Sequence, residues 1–305
     1  MKSITQENSR LGFVGIGYMG RPIARRLLES GFKLTAYDRD HSKTKELIQY
    51  GANVAQSIAE LSSSCDVVLS SLPSDEAVVD VYRGPEGILA NARRGSLAID
   101  LSTVYPGISR QLSKFGLERG VEVLDVTVSG STPAAENGLL TLFGGGDKER
   151  FDAAESIFRV IAKKYFYLGT SGSGATMKLV VNSLLGIGMQ AIAEAVALGE
   201  KAGLDRARLL DVLSQTAVVA PAHMGKLERA MKSDYSPQFP IRLMNKDFGL
   251  ILELASTVGA RMPAAGVAFE INARQSDEGA EQDFSAVILQ MEKRAHLGSN
   301  GNGRT

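Results

Sequence analysis

The sequence predicts an α/β chain in two parts: a doubly wound sheet with helices on both faces over residues 9–169, and an all-α domain over 170–297. Three observations point there. Short apolar, β-branched runs alternate with helical periodicity as far as Gly169, the pattern of βαβ units. A glycine-rich turn stands directly between the first strand and the first helix. After Gly169 the strand signals stop: Thr170-Ser-Gly-Ser-Gly174 reads as a loop, and helical periodicity alone continues to Ala295. A length of 305 residues suits two domains of ordinary size.

In order, strands are expected at 11–14, 33–37, 66–70, 96–100, 122–125, 140–143 and 164–168, with helices between them at 21–29, 75–82, 106–118 and 147–161. In the second part helices start near Ala175, Asp205, Ala222, Pro240, Pro263 and Asp283. The first of these is long, and 179–198 approaches membrane-spanning length, but Asn182, Gln190 and Glu194 interrupt it. A helix buried between domains is the expectation. The glycine-rich, polar end, 298–305, reads as a disordered tail.

Composition narrows the function. Apolar residues make up 44% of the chain, enough for real cores. The 34 basic and 34 acidic side chains balance, so no field gathers nucleic acid, and a small molecule is the expected partner, with no membrane involved. Cys65 is the only cysteine, which excludes an intrachain disulfide and a cysteine-rich metal site, and no metal is expected. The polar N-terminus lacks the apolar core of a signal peptide, so a cytoplasmic location is expected.

The glycine turn carries chemistry. Gly15, Gly17 and Gly20 have G-x-G-x-x-G spacing, with Ile16, Tyr18 and Met19 between them, at a strand-to-helix junction. In that context the first glycine permits the turn, the second lets a pyrophosphate approach the backbone, and the third lets the helix lie close to the strand. This is the Rossmann dinucleotide fingerprint. Asp38 ends the second strand, where an acid accepts hydrogen bonds from the adenosine ribose and favours NAD. Arg39 beside it is a group that accommodates a 2′-phosphate, so NADP stays open. Leu72 and Pro73 after the third strand, and Thr103 after the fourth, end at the same crevice, the first two toward adenine and Thr103 toward the nicotinamide ribose.

A hydride transfer also needs a proton-transfer group and donors for a carboxylate or carbonyl. Among the 3 histidines, His41 and His296 read as surface residues, while His223 has a place only if it lines a cleft. Better candidates lie elsewhere. Asp125-Val-Thr-Val-Ser-Gly-Ser131 ends in hydroxyls and reads as an anion-binding loop. Lys178 and Asn182 stand at i and i+4 on one face of the long helix, where a lysine among apolar residues either reaches for solvent or works.

With those motifs in order, and Lys246-Asp247 after them, the chain resembles the β-hydroxyacid dehydrogenases along nearly its whole length. That family includes 3-hydroxyisobutyrate dehydrogenase, tartronate semialdehyde reductase and glyoxylate or succinic semialdehyde reductases. The resemblance implies a nicotinamide-dependent hydride transfer on a short β-hydroxyacid or its semialdehyde. It implies that Lys178 is the catalytic acid and base and that Asn182 helps hold the substrate. It further implies that Ser129 and Gly130, with Ser131 beside them, meet the substrate carboxylate, and that Lys246 lies near substrate and nicotinamide. The alternatives are a reductase of an imine or larger semialdehyde, and a dinucleotide-binding sensor without turnover.

Departures from the family pattern concern the pocket. Val126 and Thr127 stand where Ala-Pro is usual, and Thr127 could reshape the pocket or merely pack. Ser131 replaces the last glycine, as in some glyoxylate and succinic semialdehyde reductases, and Val181 precedes Asn182 where the family often has a second asparagine. His223, Met224, Phe239 and Met244 are candidates for reading the far end of the substrate, against ordinary packing. The apolar long helix suggests a homodimer or homotetramer.

Overall fold

The apolar runs form one sheet in a computed structural model of the chain, which describes residues 3–274 and 277–297. Its strands are β1 (Arg10–Val14), β2 (Lys33–Tyr37), β3 (Asn53–Val54), β4 (Val67–Ser70), β5 (Leu97–Asp100), β6 (Glu122–Ser129), β7 (Leu140–Gly145) and β8 (Ala162–Tyr167). They lie side by side in the order β3-β2-β1-β4-β5-β6-β7-β8. Between β1 and β4 the order reverses, which leaves a crevice at the carboxyl ends of these strands.

Because side chains alternate across a strand, each strand feeds a core on both faces. In β4, Val67 and Leu69 join a cluster with Leu11, Phe13, Ile23, Leu27, Ile157 and Phe158, while Val68 joins Val14, Leu61, Val78, Tyr82 and Leu112 on the other side. Each fully buried Leu or Phe contributes on the order of 1.5–3 kcal/mol, so both helical layers are held by burial.

The structure departs from the sequence reading in instructive places. β3 has only two residues, too few for an alternating pattern. β6 runs four residues past Asp125, so the segment read as a loop from Asp125 is strand as far as Ser129. β6 and β7 pair antiparallel, whereas β7 and β8 pair parallel. The link through helix Thr132–Glu136 is too short for a parallel crossover, which needs a dozen or more residues. The helix expected over 147–161 is two helices, Lys148–Ala153 and Glu155–Ile161, with no proline or glycine at the break.

The chain divides into two compact units, Met1–Leu179 and Val180–Thr305, the division falling inside the long helix Ser173–Lys201. The second unit is helical. Pro221 and Pro263 sit in the first turns of helices Pro221–Met231 and Pro263–Ala273, where a missing N–H costs nothing. Asp205 caps helix Arg206–Ser214 through the N–H of Arg208 at 2.9 Å. Asp283, fully buried, accepts from Lys226 Nζ at 2.7 Å and from the N–H groups of Gln238 and Phe239 at 3.1 Å each. The expected tail, 298–305, lies outside the described residues.

The long helix is buried on one side only. Asn182, Met189, Ala193 and Val196 are buried, while Val180, Leu184 and Leu198 are exposed, Leu184 to 70% and Leu198 to 72%. The apolar character read along the helix thus extends onto a face that this chain by itself leaves uncovered. Near its end, Arg206 holds the Glu292 carboxylate at 2.6 Å and stands 3.8 Å from that of Glu200.

Burial first, and then the neighbouring Glu292 carboxylate, push the Glu200 carboxyl up to about 7 against the pull of Arg206. In the unfolded chain a glutamate titrates near about 4.3, so the folded chain keeps a proton that the unfolded chain loses between these values. The stability is complete below the lower value and disappears as pH rises through the upper one. Glu200→Gln is thus expected to raise Tm at about pH 8, by an amount equivalent to roughly 1–3 kcal/mol, and to change it little near pH 4.5. Thermal unfolding across that range checks this, and an equal effect at both ends would refute it.

Candidate functional site

The glycine turn leaves β1 and enters helix Gly20–Glu29. Gly15 has φ +93°, its N–H donates to Tyr37 O at 2.9 Å, and a Cβ there would lie 2.3 Å from Ser71 O. A Cβ on Gly20 would lie 1.9 Å from Gly15 O. These two glycines are demanded by the protein's own packing. A Cβ on Gly17, by contrast, would meet no atom within 4 Å beyond Gly17 itself and its chain neighbours. The protein leaves that space open, as a site for a dinucleotide pyrophosphate requires.

Asp38, 7% exposed, ends β2 beside this turn. One carboxylate oxygen accepts from the Ile16 N–H at 2.8 Å and the other from the Asp40 N–H at 2.9 Å, so the acid shapes the glycine turn. Ile16 itself is buried, with its N–H directed to Asp38. Tyr18 is 47% exposed, Met19 half-buried and Arg39 exposed, and Lys43 Nζ stands 3.8 Å from Asp38.

The loops after β4 and β5 are tied together underneath. Asp100, buried at the end of β5, accepts from Ser70 Oγ at 2.8 Å and Ser102 Oγ at 2.6 Å. With the Ser70 proton directed there, Tyr82 OH donates to Ser70 Oγ at 2.9 Å. Ser102 Oγ in turn accepts the Leu72 N–H at 2.9 Å. One acid thus joins the backbone at Leu72, half-buried and followed by the exposed Pro73, to the segment that carries the half-buried Thr103. Burial pushes the Asp100 carboxyl above its ordinary range, against its hydroxyl donors. The signal in the sequence was an acid closing an apolar strand.

Asp125 and Thr127 turn out to face the start of the long helix. The Asp125 carboxylate accepts from Gly172 N at 2.8 Å and Ala175 N at 2.9 Å, and Thr127 Oγ1 donates to Gly174 O at 2.9 Å. Thr127 is fully buried, which settles its part in favour of packing and a hydrogen bond. Ser129 and Ser131 are half-buried and Gly130 exposed at the end of β6. Lys178 is half-buried, less than two turns into the helix.

In the second unit Asn182 is 1% exposed and donates from Nδ2 to Asp247 Oδ2 at 2.5 Å. A carboxylate only accepts, so this bond fixes the amide orientation and leaves Asn182 Oδ1, buried and without a hydrogen-bond partner among the described residues, as the free acceptor. Lys246 Nζ lies 2.9 Å from the other Asp247 oxygen. Asp247 therefore holds both residues, a role sequence reading passed over although it adjoins Lys246.

The other candidates pack. His223 is buried with Nε2 2.9 Å from Leu185 O, Met244 is buried against Gly186, and Phe239 meets Phe284 edge to face at 5.8 Å. His41 lies edge to face with Tyr37, and His296 is exposed. Among the described residues no group of His, Cys, Asp and Glu is gathered for a metal.

With this geometry in hand, comparison with known proteins is specific. Residues 10–169 match the NAD binding domain of 6-phosphogluconate dehydrogenase, and residues 172–291 match the NAD-binding region of NADP-dependent 3-hydroxyisobutyrate dehydrogenase. Glyoxylate/succinic semialdehyde reductase 1 of Arabidopsis thaliana is 37% identical over 91% of this chain and 96% of its own length. NAD-dependent L-serine dehydrogenase of Pseudomonas aeruginosa is 34% identical over 91% and 96%. Among solved structures, 3-hydroxyisobutyrate dehydrogenase of Mycobacterium tuberculosis with L-serine superposes with a TM-score of 0.81 at 31% identity, covering 93% of this chain and 99% of that one.

Proposed function

The chain belongs to the β-hydroxyacid dehydrogenase family, an NAD(P)-dependent group, and from that premise we propose that it interconverts a short β-hydroxyacid and its semialdehyde, with Lys178 as the proton-transfer group. The nicotinamide, when bound, supplies or takes the hydride. The open space at Gly17 and the Asp38 carboxylate are where the chain would hold the dinucleotide.

The observation that carries the reading is the single long helix with Lys178 one turn before Asn182, whose amide is oriented by Asp247. In reduction the ammonium of Lys178 gives its proton to the oxygen gaining negative charge, and in oxidation its neutral amine takes one from the hydroxyl. Asn182 Oδ1 accepts from a substrate hydroxyl. In this reading Ser129, Gly130 and Ser131 meet the carboxylate with hydroxyls and backbone, and Lys246, its charge partly balanced by Asp247, is the cation that the second unit offers to substrate or nicotinamide. The identity of the relatives and Ser131 extend the candidate substrates to glyoxylate and succinic semialdehyde, whose reduced forms carry the hydroxyl on the α and the γ carbon rather than the β carbon.

NAD is the preferred cofactor in this reading. Asp38 is pinned by two N–H groups and cannot swing away from a 2′-phosphate, whose charge it repels, while Arg39 is exposed. The test mixes purified protein with NADH or NADPH and a panel of semialdehydes, and with the oxidised cofactors and hydroxyacids, and follows absorbance of the reduced nicotinamide. Turnover with NADH is expected, and no change with any pair would overturn the assignment in favour of a sensor.

The exposed apolar stripe of the long helix, where Val180, Leu184 and Leu198 recur at helical spacing, supports a homo-oligomer. A second copy of the chain covers it in this reading. Leu184→Glu combined with Leu198→Glu is expected to lower the mass measured by light scattering to that of a monomer. An unchanged mass would place the interface elsewhere.

A further inference from the structure

We propose that Asp125 and Thr127 are positioning residues that seat the first turn of the long helix on β6 and so set where Lys178 stands, an inference that rests on the reading of Lys178 as the proton-transfer group. They are two apart on a strand and therefore share a face. Both are buried, to 2% and 0% exposure. Their contacts with the helix differ in kind. The two oxygens of Asp125 take up the N–H groups of Gly172 and Ala175, at the helix end where N–H groups have no helical acceptor. Thr127 instead gives a proton, to the carbonyl of Gly174.

That carbonyl has a second duty. In the i to i+4 pattern of an α-helix, Gly174 C=O receives the N–H of Lys178. The Thr127 hydroxyl thus grips the very peptide group to which the backbone of Lys178 is bonded. A carboxylate alone would cap the helix. A carboxylate and a hydroxyl acting on donors and acceptor of one turn also limit its rotation.

The fit leaves the turn little room to slide. A Cβ on Gly174 would lie 2.3 Å from Asp125 O and 2.4 Å from Phe143 O, and one on Gly145 would lie 2.8 Å from Asp125 Oδ1 and 2.9 Å from Gly174 N. Asp125 pairs with Gly145, and Thr127 with Phe143, in the antiparallel ladder of β6 and β7, so the seat is built on paired strands. Ser129, the next residue on the same face of β6, is the one placed on the substrate carboxylate above. A single strand therefore carries both the helix seat and a substrate anchor, which holds their separation constant. A misplacement of about 1 Å at such a site costs on the order of a hundredfold in rate.

The test uses Thr127→Val, which keeps the shape and removes the hydroxyl while Gly174 C=O retains its helical partner, together with Thr127→Ser and Asp125→Asn. In Thr127→Val kcat is expected to fall about tenfold or more with the KM for cofactor unchanged, and Thr127→Ser is expected to recover most of the loss. A second readout needs no substrate. Competitive acetylation of the lysine amines across pH, followed by peptide mass spectrometry, reports the reactivity of Lys178 against the other lysines of the same molecule. A Lys178 profile displaced relative to those lysines in Thr127→Val and Asp125→Asn, and restored in Thr127→Ser, supports the seat. A profile superimposable on wild type in both variants overturns it, whatever the rates. If the unmodified protein turns over no hydroxyacid or semialdehyde, the functional reading fails on its own, and the labelling still decides whether the two residues set the environment of Lys178.

Discussion

Replacing Lys178 with alanine is expected to lower kcat by about 10²–10⁴-fold, the contribution of a positioned general acid or base, while the Kd for NADH changes little. The separation follows from where the parts lie. The glycine turn, Asp38 and the loops joined by Asp100 follow β1, β2, β4 and β5, and the bonds from Asp38 to Ile16 and Asp40 and from Asp100 through Ser70 and Ser102 to Leu72 close among those segments. The half-buried lysine also contributes little to the core, so Tm should move by no more than a few degrees. Steady-state rates, cofactor titration by fluorescence and thermal unfolding on one preparation check the three parts together. A Lys178→Ala protein with wild-type kcat would remove the lysine from the reaction.

Gly20→Ala and Gly17→Ala are expected to fail in opposite ways, although both lie in one motif. At Gly20 the new methyl would meet Gly15 O at 1.9 Å, and that oxygen is backbone in a turn already held at φ +93° by Gly15. Neither partner can rotate away, so the helix must lift from β1, at a cost of about 3 kcal/mol or more. The cofactor-free protein should show a Tm lower by many degrees, or fail to accumulate folded. At Gly17 no atom beyond the residue and its chain neighbours lies within 4 Å of the methyl, so the cofactor-free Tm should stay near wild type. The methyl instead occupies space that a pyrophosphate needs, and the Kd for NADH should rise about tenfold or more. Equal Tm losses in the two variants, or an unchanged Kd in Gly17→Ala, would show that the turn is built for packing alone.

The contrast marks how far local sequence reaches. The motif was legible because each requirement is local: a positive φ after a strand, a close approach at the following helix, an acid at the end of the next strand. The same holds for most strands and for the helix starts at Pro221 and Pro263, since alternation, helical period and the missing proline N–H are properties of a few adjacent residues. The pairing of Lys178 with Asn182 belongs here too, because helical geometry alone puts residues four apart on one face.

What only the tertiary structure decided depends on partners far away in the chain. Asp247 and Asn182 meet across 65 positions, and Asp125 and Ala175 across 50, and nothing in the neighbourhood of either pair specifies the other. The segment after Asp125 reads as loop by its hydroxyls, yet it becomes strand because β7 arrives to take up its backbone groups. The antiparallel direction of β7 was set by a link too short to cross the sheet, and Thr127 lost its place in a pocket because the helix start came to lie against it. Propensity and periodicity are read from neighbours, whereas hydrogen-bond partners and strand direction arise only when the chain closes on itself. The sequence by itself determined a dinucleotide turn and a lysine-bearing helix, and the folded chain determined which buried acids hold them in place.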